Sequence, residues 1–566
     1  MTLTRSPVLP DREADRPHDR IRGRGRKRSR TWNRNRAWNR IRNRAWSRDR
    51  VRTWTPGRHR RPGRGDSPFL RAFTVTAALV ALGAALGFGR DLLVAQIFGA
   101  TGSTDAFLVA WTVPETAAPL LIEGAMAFLL VPLFSRAADA GVIREAVTAT
   151  LPRVLAGLVL VSGVTALSAP WLVGVLAPGL ADPALAVGCT RITSVTVLMF
   201  GLAGYLSAAL RARQVFGPPA AIYVAYNAGI IASVLACHDR FGVAAAALGV
   251  ACGGALMVAV QIPGFLRHVG PPRRTAAGAS ILLGAFAPIA LFTLLRQGQV
   301  FVERFAGSSL AAGSISHLNY AQKIAQVPMT LSLIVATVTF PALARSIAAG
   351  DIAAARRRIA ADLALAGMIV LPASALLVAF APEIVALLLQ RGAFTPADTA
   401  ATAEIVRVYS VGLLGQTVVG VLCRVFFCAE RPSWYPAGAM AAGLAVTAGL
   451  AAVATPHWGT AGITAANAAG ITLTAAALLP GLRGLRGLRG LGTHVVLAAL
   501  GRPALAAAAA AGAGWLVRPV LTGLPAVAAL ALGAVTVGSV FIVVATATGS
   551  KEIARMIGYT PAGKRL

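Results

Sequence analysis

Arg90 and Asp91 stand side by side in LGFGRD, and Asp105, Glu115 and Glu123 follow before Arg136. The stretch 86–136 holds two apolar segments, each long enough to cross a bilayer at the ~20 residues a spanning helix needs. An ionisable group at the centre of such a helix costs about 2.5–3.5 kcal/mol on insertion scales. Five of them in two helices must face protein or water, so a polar cavity is expected inside a helical membrane protein. Arg296, Glu303, Arg304 and Lys323 add charge to two later apolar segments. Cations facing a cavity suit an anionic substrate, such as a phosphate or a carboxylate. The competing reading is internal pairing, for example of Arg90 with Asp91, Asp105 or Glu123, or of Glu303 with Arg304.

Pro114 and Pro119 interrupt the second span and Pro328 interrupts the eighth. Proline removes a helix hydrogen bond and clashes with the preceding turn, so these positions are candidate hinges or static kinks. No P-loop, HExxH or other hydrolytic or redox constellation is visible, so the chain reads as a non-enzyme without a cofactor or metal. Directional transport would then draw on the membrane potential or on a Na+ or H+ gradient. Asp91, Asp105, Glu123 and Glu383 are the candidate ion carboxylates. The five cysteines (Cys189, Cys237, Cys252, Cys423 and Cys428) all lie in apolar segments without metal spacing and read as small buried hydrophobes.

The elements that position these groups are spanning helices. The chain is 56% hydrophobic and only 13% charged, against about 25% charged in soluble domains. From Pro68 onward about fourteen apolar segments of spanning length can be marked, and the fold class is an all-α polytopic membrane protein. Loops after even-numbered spans carry arginines, among them Arg136, Arg144, Arg211, Arg213, Arg267, Arg345, Arg356, Arg424 and Arg483. The opposite loops, such as GATGST and AGSSLAAG, are short and poor in charge. By the positive-inside rule both termini are cytoplasmic. VPLFSR (131–136) resembles FPALAR (340–345), SAPWLVGVL (168–176) resembles FAPEIVALL (380–388), and RITSV (191–195) resembles RVYSV (407–411). The even offsets point to an internal repeat of six spans. Two lobes in one orientation would be related by a pseudo-two-fold axis along the membrane normal, the layout of an alternating-access transporter. The expected organisation is 1–66 an arm, 67–270 an N-lobe, 271–482 a C-lobe, 483–549 two further spans and 550–566 a cytoplasmic tail.

Residues 1–66 hold 22 Lys/Arg against 6 Asp/Glu, half of the net charge of +32, with Trp32, Trp38, Trp46 and Trp54 interspersed. Such a segment cannot bury a core and is expected to be disordered. Beside a membrane it would attract anionic lipid, about 1 kcal/mol per basic side chain near the surface, and this reading is favoured over nucleic-acid binding. A translation start further downstream, leaving the arm unmade, is the alternative. No apolar segment of signal-peptide type follows the first residues. The Ala/Gly/Arg-rich composition fits a high-GC genome.

LGFGRD (86–91), IFGATGSTDAF (97–107), EGA (123–125), VPLFSR (131–136), YAQK (320–323) and YSVGLLG (409–415) together resemble the MurJ/MviN lipid II flippase family over roughly residues 70–550. The resemblance implies transport of undecaprenyl-diphosphate-linked peptidoglycan precursor across the bacterial inner membrane. It also implies a V-shaped pair of six-helix lobes, in the multidrug/oligosaccharidyl-lipid/polysaccharide exporter superfamily, with spans 13 and 14 forming a groove for the lipid tail. By it, Arg90 falls on a cavity arginine that meets the diphosphate, and Asp91, Asp105 and Glu123 fall on recurrent acidic positions. Lys323 falls where the family has an arginine, keeping the charge without the bidentate fork. The chain departs from the pattern at Gly83 and Ala84, where Ser-Arg is usual. It departs again at Pro114-Glu115, Ala118 and Pro119, where Pro-Asn and an arginine pair are usual. A thinned positive clamp leaves three readings: lipid II held differently, a paralogous exporter of another polyprenyl-linked glycan, or a non-transporting scaffold for cell-wall synthesis proteins.

Overall fold

A computed structural model describes residues 68–125, 140–271, 287–348, 351–427, 433–482, 493–521 and 523–549, with positions 130 and 134. The basic arm, the tail and most of VPLFSR lie outside these residues. Among the described residues there are helices and no strand.

The first half runs through α1 (Pro68–Phe98), α2 (Gly102–Ala117), a π-helical turn (Ala118–Ala125), α3 (Ala140–Leu167), α4 (Ala169–Leu176), α5 (Pro183–Ala212), α6 (Gly217–Phe241), α7 (Ala244–Ala259) and α8 (Ile262–His268). The second half has α9 (Ala287–Ser308), α10 (Ser314–Ala348), α11 (Ile352–Leu389), α12 (Pro396–Phe427) and α13 (Tyr435–Gly481). Two more helices, α14 (Thr493–Leu521) and α15 (Ala526–Ala547), follow. Helix starts are set by local chemistry. The Asp182 carboxylate accepts from Leu185 N at 2.9 Å ahead of Pro183, and the Asp351 carboxylate accepts from Ala354 N at 2.8 Å.

Matching pairs of helices pack in each half: α1 on α6 as α9 on α13, α2 on α5 as α10 on α12, and α5 on α7 as α12 on α13. The two halves are thus two lobes built on one plan. Gly242 (φ 54°, ψ −138°) turns the chain between α6 and α7, and Gly459 (φ 51°, ψ −132°) turns it within α13. Only glycine enters this region readily, so both lobes use it to reverse direction between two apolar helices. A 47-residue helix would otherwise run about 70 Å at 1.5 Å per residue. Close backbone approach follows each turn. A side chain at Gly229 would meet Gly253 Cα at 2.8 Å, and one at Gly443 would meet Gly470 O at 2.6 Å.

By length and composition, eleven helices among the described residues can cross a membrane. The fourteen expected spans are not reached by that measure for three reasons. Helix α13 covers two of them around Gly459, α9 is too charged to qualify with Arg296, Glu303 and Arg304, and α10 has side chains outside the described residues. Helices α14 and α15 pack on α11. Pro382 bends α11 at Phe380 (φ −115°, ψ 26°). The Phe380 ring lies where Gly514 and Gly533 leave room for it.

Candidate functional site

In span 2 the backbone departs from a regular α-helix. Pro114 has no N–H for the Ala110 carbonyl, and Thr193 Oγ1 on α5 donates to that carbonyl at 3.2 Å instead. Pro119 likewise leaves the Glu115 carbonyl without its helical donor. There the replacement comes from the other lobe: Gln297 Nε2 on α9 donates to Glu115 O at 2.8 Å. The π-helical turn begins at the next position back, Ala118, as such turns commonly do at functional sites. Helix α10, by contrast, is continuous through Pro328.

The Glu115 side chain also crosses between lobes. Its Oε1 accepts from Lys323 Nζ at 3.0 Å, and its Oε2 stands 3.9 Å from Arg304 Nη2. Arg304 is fully buried and donates to Asn319 Oδ1 at 3.0 Å and Ile315 O at 3.3 Å. Glu303, its neighbour, is 1% exposed and accepts from Asn467 Nδ2, which ties α9 to α13. Glu303 and Arg304 therefore have different partners rather than pairing only with each other.

Arg90 is buried within the N-lobe. It donates to Asp91 Oδ1 through Nη2 at 2.7 Å and Nε at 3.1 Å, and to Asn227 Oδ1 through Nη1 at 2.9 Å. Its guanidinium lies 4.5 Å from the centre of the Trp111 ring. Asn227 is fixed in turn by donating to Gly83 O and Tyr223 O. Of the three pairings weighed for Arg90, the structure shows the one with Asp91. A void of about 10 Å³, enough for about one water, lies between Arg90, Asp91, Asn319 and Lys323. Lys323 and Arg90 thus approach each other from opposite lobes.

Asp105 is 4% exposed and placed differently from the cavity position expected of it. Its carboxylate accepts from Gly313 N and Ser316 N, each at 2.7 Å, and from Ser316 Oγ, so a residue of one lobe caps the first turn of α10 in the other. Nearby, Tyr320 OH donates to Gly99 O at 3.3 Å, Ala393 N to Gln96 O at 2.8 Å and Gly179 N to Ser308 Oγ at 3.3 Å. These contacts join the lobes at the ends carrying loops 99–101, 309–313 and 390–395. Glu123 lies in the π-helical turn, and its side chain is outside the described residues. Glu383 accepts from Arg518 Nε at 2.7 Å and joins α11 to α14. Lys323 and Glu115 meet beside the cavity, Arg90 and Asp91 sit one void away, and Asp105 belongs to the sealed end.

Between the lobes lies a cavity of about 520 Å³, within the range of ligand sites. Glu115 and Pro119 line it from the N-lobe, and Arg296, Gln297, Gln322 and Gln326 from the C-lobe. Arg296 is exposed into this space. Gln299 and Gln416 complete a wall of amide side chains, able both to donate and to accept. The glutamines and Asn227 were not singled out from sequence, although a polar side chain in an apolar span is itself a signal.

The chain matches the sequence family described as lipid II flippase MurJ over residues 94–536. It is 28% identical over 434 residues to a lipid II flippase MurJ of Burkholderia cenocepacia, spanning 73% of this chain and 83% of that protein. It is 30% identical over 367 residues to a probable lipid II flippase MurJ of Rhizobium meliloti, spanning 61% and 68%. A solved lipid II flippase MurJ in an inward closed conformation has the same fold, with a TM-score of 0.70 at 18% identity over 86% of this chain and 99% of that one. A multidrug resistance MATE family transporter of the MOP superfamily, in an inward-facing conformation, gives 0.61 at 13% identity over 74% and 98%.

Proposed function

Because the chain belongs to the lipid II flippase MurJ family, we propose that its two lobes carry an undecaprenyl-diphosphate-linked peptidoglycan precursor from the inner to the outer leaflet by alternating access. The observation that carries this reading is the polar cavity between the lobes, combined with an inter-lobe seal at the Asp105 end. With the Arg-rich loops cytoplasmic, the Asp105 seal faces outward, and the cavity receives its substrate from the inside. The prenyl tail stays in lipid while the headgroup enters. Arg296, Lys323 and Arg304 supply positive charge on the C-lobe, and the glutamine wall can pair with sugar hydroxyls and peptide amides. Arg90 and Asp91 shape the N-lobe wall. Pro114, Pro119 and the π-helical turn give span 2 the bend that a rocking lobe needs, while Pro328 removes one hydrogen bond from the otherwise continuous helix of span 8. Rocking opens the Asp105 seal and releases the headgroup outside.

The protein is a multi-pass membrane protein. We place it in the bacterial inner membrane with both termini cytoplasmic and the basic arm on anionic lipid. Its driving force is the membrane potential or an ion gradient. A second reading, a paralogue for another polyprenyl-linked glycan or a cell-wall scaffold, draws support from Arg90 and Lys323, which already hold internal acids. Depletion of a host's essential flippase separates the two. Restoration of outer-leaflet lipid II by this chain is the expected result. Failure to restore it at normal membrane abundance would favour the second reading.

A further inference from the structure

Glu115 occupies a position with the charge and location of a bound anion. Its carboxylate lies against two C-lobe cations, touching Lys323 and standing 3.9 Å from Arg304. It is also part of the cavity wall, so a ligand in the cavity reaches it directly. Yet the site is incompletely satisfied. Glu115 Oε2 and Arg304 Nε are both buried and lack a hydrogen-bond partner among the described residues. A buried ionic cluster with unpaired atoms is poorly compensated for its desolvation. A ligand bringing more oxygens and more negative charge would satisfy it better. The backbone beneath Glu115 is suited to movement, because Pro114 and Pro119 bracket it and its carbonyl is held by a side chain rather than by its own helix.

We propose that Glu115 is a tethered counter-ion: in the empty protein its carboxylate holds the Lys323–Arg304 pair, and the phosphates of a polyprenyl diphosphate displace it on binding. This rests on the flippase reading given above. Displacement does two things at once. It exposes Lys323 and Arg304 to the ligand, and it removes the mid-helix ion pair between the lobes. A neutral lipid cannot make the exchange, so Glu115 sets a threshold that only a strongly anionic headgroup passes.

The test uses the full chain in lipid nanodiscs, titrated with farnesyl diphosphate and, separately, with uncharged farnesol. Glu115→Gln keeps the shape and removes the competing charge. It is expected to bind farnesyl diphosphate about tenfold more tightly than the unaltered protein, the scale of one charge-assisted contact, with farnesol affinity unchanged. Lys323→Gln should weaken diphosphate binding, and the double variant Glu115→Gln/Lys323→Gln should lose the gain. Unchanged or weaker binding by Glu115→Gln would overturn the proposal, as would a gain that survives in the double variant. If Glu115→Gln does not fold, Glu115→Asp, one methylene short of Lys323, should show a smaller gain in the same direction. Absence of diphosphate binding by every variant would also overturn it. The rescue of a depleted flippase is scored separately, so tighter diphosphate binding without rescue would leave the counter-ion in place and remove lipid II as the substrate.

Discussion

Asp105→Ala attacks the seal between the lobes. Asp105 and its three donors lie on different lobes, so the bonds exist only while that end is closed. Loss of a helix cap costs about 1–2 kcal/mol, and a hydrogen bond to a charged group is worth about 1.5–3 kcal/mol. Allowing water to reach the freed donors once the end opens, we expect the closed state to lose about 2–4 kcal/mol. At 1.4 kcal/mol per factor of ten, that shifts the closed-to-open ratio by roughly 30- to 1,000-fold. Spin labels at Ser103 and Ser309, both exposed at the sealed end, report the distance between lobes once the native cysteines are replaced. The unaltered protein should show a short distance, and Asp105→Ala a new population at longer distance. Asp105→Asn keeps one acceptor and should fall between them. An unchanged distance distribution in Asp105→Ala would refute the role of this carboxylate as the seal.

Arg296→Gln should reduce restoration of outer-leaflet lipid II by about tenfold while leaving the melting temperature unchanged, because the side chain is exposed in the cavity; a matching fall in melting temperature would assign it a structural role. Gly533→Val should lower the melting temperature by several degrees, since an added Cβ would run into the Phe380 ring, which also packs close to Gly514, an overpacking cost of about 1–3 kcal/mol. Unaltered thermal unfolding would show that α15 yields without loss.

Much of the lobe architecture was legible because hydropathy and repeat spacing are one-dimensional signals. The turn at Gly459 falls in the short loop expected between two spans, and its counterpart at Gly242 follows from the same repeat. Charge partners were not legible in the same way. Glu115 and Lys323 are 208 residues apart, and nothing in composition says which carboxylate each cation meets. Arg90 was read as facing substrate or pairing locally; Asp91 is its neighbour in sequence, and that pairing is present. Asp105 looked like one more cavity acid, but its position four residues into α2 puts it at the end of the helix, within reach of the α10 amides. The prolines marked where span 2 would be irregular. They did not reveal that Thr193 and Gln297 would answer the two freed carbonyls.

The charges of span 2 thus divide by position along the helix. Asp105, near the helix start, holds the closed end through backbone amides. Glu115, ten residues further along and about 15 Å from it at 1.5 Å per residue, lies in the second half of the 102–122 span and meets cations. A pair there is screened little by salt, so it acts on lobe position more strongly than a surface pair, whose worth is about 0–1 kcal/mol. Opening the sealed end must break the Asp105 cap whatever the substrate. The Glu115 bridge need break only when an anion replaces it. On the counter-ion proposal, two inter-lobe ties of different chemistry in one helix make ligand occupancy and opening of the sealed end separable steps, the first read by a carboxylate–ammonium pair and the second by a carboxylate–amide cap.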